Sequence, residues 1–77
     1  MAVIIKVTIF GKVIEGISVH YKASTGHHAA KRTDFSGVVK FRPLKEGDVV
    51  NLTIIWGQIT RLLTNYQLTS GVNEINL

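Results

Sequence analysis

Three histidines are the side chains of this 77-residue chain best suited to chemistry, because imidazole titrates near neutral pH and ligates zinc or copper. They are His20, His27 and His28. A zinc site needs three or four protein ligands in tetrahedral geometry, whereas the neighbours His27 and His28 point to opposite faces of an extended segment. The spacing favours a solvated turn, and the sequence therefore predicts neither a metal site nor a cofactor.

The chain carries no pattern of residues that would assemble a catalytic site. It has no cysteine, no serine in a nucleophile elbow and no glycine-rich phosphate loop, and its seven glycines are scattered. The carboxylates Asp34, Glu46 and Asp48 fall in predicted loops, where they are typical of turn caps, with a calcium or sugar contact at one end of the domain as the alternative. We therefore expect no catalytic residues and a protein that is not an enzyme.

Trp56 is the candidate contact for a small ligand, because an exposed indole ring offers a flat apolar surface with a polar tip. It stands directly before Gly57 at the end of a predicted strand, in a phase that also suits core packing. A carbohydrate is therefore one alternative partner, and both interpretations of Trp56 stay open.

Nucleic acid is a further alternative partner. Single-stranded nucleic acid stacks on exposed aromatic side chains beside cations. Of the candidates Phe10, Phe35 and Tyr66, only Phe10 has a basic residue at an alternate position, Lys12. The net charge of +4 is spread along the chain, with only Lys31 and Arg32 adjacent. We do not expect nucleic-acid binding, and a small barrel that binds it is kept only as an alternative.

The elements that position these side chains follow a period-two pattern interrupted by regular turns, which is typical of an all-β sandwich or barrel. The length suits a single domain with one core, here residues 1–77. No segment approaches the roughly 20 apolar residues that cross a bilayer, so we expect no membrane insertion. Seven strands are predicted, over residues 2–10, 17–23, 28–33, 38–42, 49–56, 59–68 and 72–77.

Strand alternation divides the apolar side chains into a core set and a remainder. The predicted core set is Val3, Ile5, Val7, Ile9, Ile17, Val19, Tyr21, Ala23, Val39, Phe41, Val50, Leu52, Ile54 and Trp56. The remainder, which forms a predicted assembly surface, comprises Ile4, Phe10, Val49, Ile55 and Leu62, with Leu63 as the alternative to Leu62. Monomers rarely expose large apolar patches, so we expect an oligomer; the alternative is that strands or loops cover these residues.

Turn and strand signals across most of the chain resemble those of two domain families. The segments are residues 11–19, Thr25-Gly26, residues 31–41 and residues 44–48. They are similar to the carboxypeptidase regulatory-like and collagen-adhesin B-type domains, in which a Thr-Asp-Xaa-Xaa-Gly-Xaa-Xaa-Xaa-Phe hairpin precedes a Leu-Xaa-Xaa-Gly-Xaa-Tyr corner. Val49 or Val50 stands where those families have an aromatic residue after the corner.

The resemblance implies a seven-stranded antiparallel Greek-key sandwich of the transthyretin-like or immunoglobulin-like kind. It also implies a stalk, spacer, adhesive or accessory module without catalysis, outside the cell or at its surface. We therefore expect a non-catalytic structural or interaction module that self-assembles or docks onto a larger surface, fibre or capsid structure. Its expected contact elements are the apolar first and last strands, because unpaired strand edges accept further strands.

Overall fold

The computed structural model describes residues 3–77, and within them it contains eight strands and no helix, so none that could span a membrane. The strands are β1 (Val3–Ile9), β2 (Lys12–Val13), β3 (Ser18–Ala23), β4 (His28–Arg32), β5 (Val38–Lys40), β6 (Val49–Trp56), β7 (Ile59–Gln67) and β8 (Gly71–Asn76). The all-β class is confirmed. The prediction of seven strands misses β2, which folds back on β1 after a two-residue turn. The predicted start of the first strand at residue 2 lies outside the described residues.

β1 is the centre of the first sheet. β8 pairs with it in parallel along one whole edge, from Val3 to Thr8. β5 and β2 therefore share the other edge, β5 opposite Ile4–Lys6 and β2 opposite Thr8 and Ile9, both antiparallel. The expectation of purely antiparallel pairing is wrong for β8. The expectation that the first strand offers a contact edge is also wrong, because both of its edges are paired. In contrast, one edge of β8 has no partner among residues 3–77.

The second sheet has the order β4-β3-β6-β7, and its neighbouring strands are antiparallel. The register between β6 and β7 shifts between Val50 and Leu52, which marks a bulge in β7. Asn65 takes up the extra residue with a φ of 53°, and its N–H donates to Asn51 Oδ1 at 3.0 Å. Asparagine tolerates this left-handed conformation better than most residues.

The inward sides of the two sheets share one apolar core, an arrangement consistent with a β-sandwich. The predicted core set is buried except for Ala23, which is half-buried, and Trp56, which is 37% exposed. Tyr21 packs edge-on against Phe41, with ring centroids 4.7 Å apart. Each large side chain removed from water in this way contributes about 2 kcal/mol to folding.

Two side-chain hydrogen bonds join the edges of the two sheets. Lys31 on β4 donates from Nζ to the Lys40 carbonyl on β5 at 2.8 Å. On the opposite side, Arg61 on β7 donates from Nη1 to the Asn76 carbonyl on β8 at 2.6 Å. The second sheet is four strands wide, whereas the four strands of the first sheet fill three positions, because β2 and β5 share one edge of β1.

Candidate interaction surface

The five residues of the predicted assembly surface lie in three separate places. Val49, Ile55 and Leu62 are exposed on the outer face of the second sheet, where polar side chains separate Val49 from Ile55. Ile4 is half-buried on the outer face of the first sheet, and Phe10 lies in the turn after β1. The five therefore do not form one surface, and Phe10 lies closest to a different group of apolar residues.

Four turns meet at one end of the two sheets, as the strand registers require. They are the β1–β2, β2–β3, β4–β5 and β6–β7 connections. We call this the aromatic end, and its exposed large apolar side chains are Phe10, Val13, Phe35, Trp56 and Ile59. Three of the chain's six aromatic residues thus project at one end.

Phe10 occupies the first position of a tight hairpin turn. Ile9 pairs with Lys12, so Phe10 and Gly11 form a two-residue loop, with φ values of 51° and 78°. Positive φ at both positions defines a type I′ turn, where Asn, Asp and Gly are the usual residues. A left-handed conformation costs an ordinary L-residue about 1–2 kcal/mol. The Phe10 side chain is 93% exposed, so burial within this domain does not offset that cost.

Phe35 projects from a second, well-bonded turn. The Gly37 N–H donates to the Asp34 carbonyl at 2.8 Å, which closes the type I turn that Asp34 and Gly37 predict. The Asp34 carboxylate also accepts the N–H of Ser36 at 2.8 Å and of Val38 at 3.2 Å. Phe35 is 80% exposed although its turn is held by three hydrogen bonds, so its exposure does not come from a loose loop.

Gly37 brings the Phe35 turn into direct contact with the Phe10 hairpin. A Cβ atom at Gly37 would lie 2.9 Å from the Val13 Cβ and 3.0 Å from the Val7 carbonyl oxygen, so only glycine fits. Its φ of 75° is a second reason for glycine at this position. The β4–β5 turn therefore packs closely on β2, and Phe35 and Phe10 project from neighbouring turns.

Thr33 ties the β2–β3 turn to the end of β4. Its buried hydroxyl accepts the Ile17 N–H at 3.0 Å and donates to the Ile14 carbonyl at 2.7 Å. Its carbonyl accepts the Gly16 N–H at 2.9 Å. These bonds satisfy backbone groups that would otherwise be buried without partners, and they fix the frame on which the aromatic end is built.

Trp56 lies at the edge of this end rather than in the core. It pairs with Ile59 across the two-residue Gly57-Gln58 turn, as the sequence predicts. Its ring lies over Gly16, where an added Cβ would be 3.8 Å from Cζ3. Trp56 is 37% exposed, so its predicted core position is wrong.

The opposite end of the sheets, which we call the polar end, holds a shallow depression of about 420 Å³. Its lining includes Ser24, His27, Lys45 and Asp48. The Asp48 carboxylate accepts the Lys45 N–H at 3.0 Å, which caps its own loop. Asp34 likewise caps a turn, but at the aromatic end. Both carboxylates therefore act as turn caps, as the sequence predicts, and they lie at opposite ends of the domain.

The histidines are divided between two surfaces. His20 and His28 point outward from β3 and β4 on the second sheet. His27 lies in the turn before β4, with its ring 5.8 Å from that of Tyr21. Among residues 3–77, no group of three or more His, Cys, Asp and Glu side chains is placed to hold a metal ion.

A scan of protein-family models finds no match to the chain, and a search of curated proteins finds no significant match. The candidate surface is therefore argued from its own geometry. Of the surfaces described, the aromatic end combines the most exposed aromatic residues with a closely bonded frame.

Proposed function

We propose that this chain is a non-catalytic interaction module that associates with further copies of itself through the aromatic end. The observation that carries the proposal is Phe10, a bulky residue in a left-handed turn position with 93% of its side chain exposed. Both features cost free energy in the isolated domain. A contact that buries the ring would recover part of that cost.

The distribution of charge favours the aromatic end for contact between identical copies. It carries Lys12 together with Glu15 and Asp34, so two copies that meet there can place opposite charges side by side. The outer face of the second sheet bears Lys22 and Arg32, and none of its four strands contains a carboxylate. Two copies that met through that face would repel each other.

We propose in addition that the strands are connected in the Greek-key pattern. β6 pairs with β3 rather than with its chain neighbour β5, and this non-local adjacency supports a Greek-key connection. We therefore keep the transthyretin-like or immunoglobulin-like sandwich implied by the resemblance. A role as a surface-associated structural module outside the cell is proposed on that resemblance.

Sedimentation velocity over a concentration series tests the self-association. We expect the mean mass of the unmodified chain to rise with concentration and Phe10→Asn to associate at least about tenfold more weakly. Asn suits the first position of a type I′ turn, so the same substitution should raise the free energy of unfolding by about 1 kcal/mol. Loss of association together with a gain in stability separates a contact role from a folding defect.

Leu62→Asn is the matched control, because Leu62 is also exposed but lies on the outer face of the second sheet. It should leave the association unchanged. A monomeric mass at every concentration would overturn self-association. Association that survives Phe10→Asn but not Leu62→Asn would overturn the choice of surface.

Carbohydrate binding is the second candidate, and the partial exposure of Trp56 favours it. The chain has a single tryptophan, so a change in its fluorescence on adding an oligosaccharide reports on this position alone. Nucleic-acid binding is not proposed, because at the aromatic end Lys12 is balanced by Glu15 and Asp34, and the cations Lys22 and Arg32 lie on a sheet face.

A further inference from the structure

The side of the domain formed by β7 and β8 has an open strand position. The bond from Lys31 to the Lys40 carbonyl sets β4 against β5. From that side, the first sheet has three strand positions, which are β5 together with β2, then β1, then β8. The second sheet has four, which are β4, β3, β6 and β7. Arg61 on β7 reaches the Asn76 carbonyl at the end of β8. Along the rest of β7, this count leaves one strand position that no described strand of the first sheet fills.

The burial of inward side chains agrees with this count. Leu52 on β6 is 1% exposed, whereas Leu63, its pairing partner on β7, is only half-buried. Val50 and Tyr66 form a second such pair, buried on β6 and half-buried on β7. Arg61, which pairs with the buried Ile54, also lies on the inward face and bonds to the Asn76 carbonyl at one end of the position. Beyond Arg61, the inward face of β7 is apolar but incompletely covered.

The unpaired edge of β8 borders the same position. The Leu77 N–H donates to the Thr8 carbonyl at 2.7 Å, so the backbone groups of odd-numbered residues near the end of β8 point toward β1. The direction of the N–H and C=O groups alternates along a strand, so the N–H and C=O groups of Val72, Glu74 and Asn76 point away from β1. The bond from Arg61 to the Asn76 carbonyl agrees with this direction. Val72 and Glu74 therefore present donors and acceptors at an edge that no described strand pairs with.

We infer that this edge binds one extended segment of a partner polypeptide with apolar side chains at alternate positions. The segment adds to the first sheet as a further strand beside β8 and beneath β7. Backbone hydrogen bonds to Val72 and Glu74 hold it, and its apolar side chains cover Leu63 and Tyr66. This is a second binding surface, separate from the aromatic end.

The width of the position decides in favour of a single segment. If a second copy paired its own β8 antiparallel with this edge, its second sheet would lie on the same side as that of the first copy. Its β6 would then need the space that β7 occupies. A lone strand avoids that clash, so the occupant is an extended segment rather than the edge of another folded copy.

Amide hydrogen exchange measured by NMR on the full chain tests this inference. The probe is the capped peptide Thr-Val-Thr-Val-Thr-Val-Thr, which is extended, uncharged and apolar at alternate positions. We expect saturating peptide to slow exchange at the Val72 and Glu74 amides by about tenfold or more, because both amides become hydrogen-bonded.

Two matched pairs of variants locate the bound peptide. Glu74→Pro removes an N–H that points away from β1, which an edge strand tolerates, and should weaken peptide binding by about tenfold or more. Glu74→Ala loses the same side chain, keeps the N–H and should bind normally. Leu63→Asp on the inward face should weaken binding, whereas Leu62→Asp on the outward face should not. Circular dichroism confirms that each variant is folded.

Three results would overturn the inference. One is no slowing of exchange at Val72 and Glu74 with peptide in the millimolar range. Another is protection along β7 alone, which would place the peptide on the outer edge of the second sheet. The third is protection of Val72 and Glu74 in concentrated protein without peptide, together with a dimer mass, which would make a second copy the occupant.

Discussion

The two ends of this domain use their aromatic side chains in opposite ways. At the polar end, Tyr21 lies between the rings of Phe41 and His27, and both Tyr21 and Phe41 are buried. At the aromatic end, Phe10 and Phe35 project from turns into solvent. The comparison teaches that the chain can bury aromatic rings where it needs a core, so the exposed rings call for a role outside the fold.

Both ends are held by buried side-chain hydrogen bonds, so the difference does not come from one end being looser. Thr33 fixes the aromatic end through its hydroxyl. Asn73 fixes the polar end, where its Oδ1 accepts the Thr69 N–H at 2.9 Å and its Nδ2 donates to the Thr69 carbonyl at 3.0 Å and to the Ile4 carbonyl at 3.2 Å. Rigid frames at both ends make the exposure of Phe10 and Phe35 a property of the turns themselves.

The comparison is tested most strongly by removing one phenyl ring from each end. Phe41→Ala should lower the free energy of unfolding by about 4 kcal/mol, because it leaves a cavity in the core. Phe35→Ala should change it by less than about 0.5 kcal/mol. Urea unfolding measures both. A comparable loss for Phe35→Ala would show that its ring packs on the domain in solution, and the contrast between the ends would fail.

A pair of glycine substitutions compares how tightly the turns of the two ends pack. Gly37→Ala should lower the free energy of unfolding by about 3 kcal/mol, because the new Cβ meets both Val13 and the Val7 carbonyl in addition to the unfavourable φ. Gly26 at the polar end has a φ of 91°, but an added Cβ there would meet only open space. Gly26→Ala should therefore lower the free energy of unfolding by about 1 kcal/mol. Equal losses in thermal unfolding would contradict the close contact at the aromatic end.

The smallest expected effect concerns Tyr21, whose burial near the polar end has a consequence at high pH. Burial raises the pKa of the Tyr21 phenol above its usual value, and its hydroxyl has no hydrogen-bond partner among the described residues. A tyrosine in the unfolded chain ionises at about pH 10. Stability is therefore intact below that pH and falls above it, since the unfolded chain releases the proton first.

Tyr21→Phe should remove the part of the stability loss at alkaline pH that the phenol causes. It should change the free energy of unfolding at neutral pH by less than about 1 kcal/mol. Unfolding in urea at a series of alkaline pH values measures the effect. Tyr66→Phe is the matched control for loss of a phenol. If Tyr21→Phe left the alkaline decline unchanged, the buried hydroxyl would not be its source.

Much of the fold follows from alternation in the sequence. The inward phases of β1, β3 and β6 are predicted correctly, because each of these strands has one face against the core and its residues alternate in polarity. The turn from Asp34 to Gly37 is also predicted, since its residues suit the required backbone angles. The signal for β2 is too weak, because two residues cannot show a period, although a Phe-Gly pair before Lys12 marks the position of the turn.

The candidate surfaces are less visible in the sequence. Phe10, Phe35 and Trp56 are identifiable one by one as candidates, but only the strand order brings their turns together at one end. Trp56 lies against Gly16, which is 40 positions away in the chain, and local alternation does not reveal that contact. Side-chain alternation reports which face a residue points to and does not report what covers that face.

The all-β class, most of the strands and most of the core residues follow from the amino-acid sequence, because local alternation and turn residues are set by neighbours along the chain. The parallel pairing of β8 with β1, the shared edge of β2 and β5, and the grouping of three aromatic rings at one end follow only from the folded structure. These features depend on which strands pair across long separations. That choice is made by packing of the whole core, which no single segment of the sequence contains.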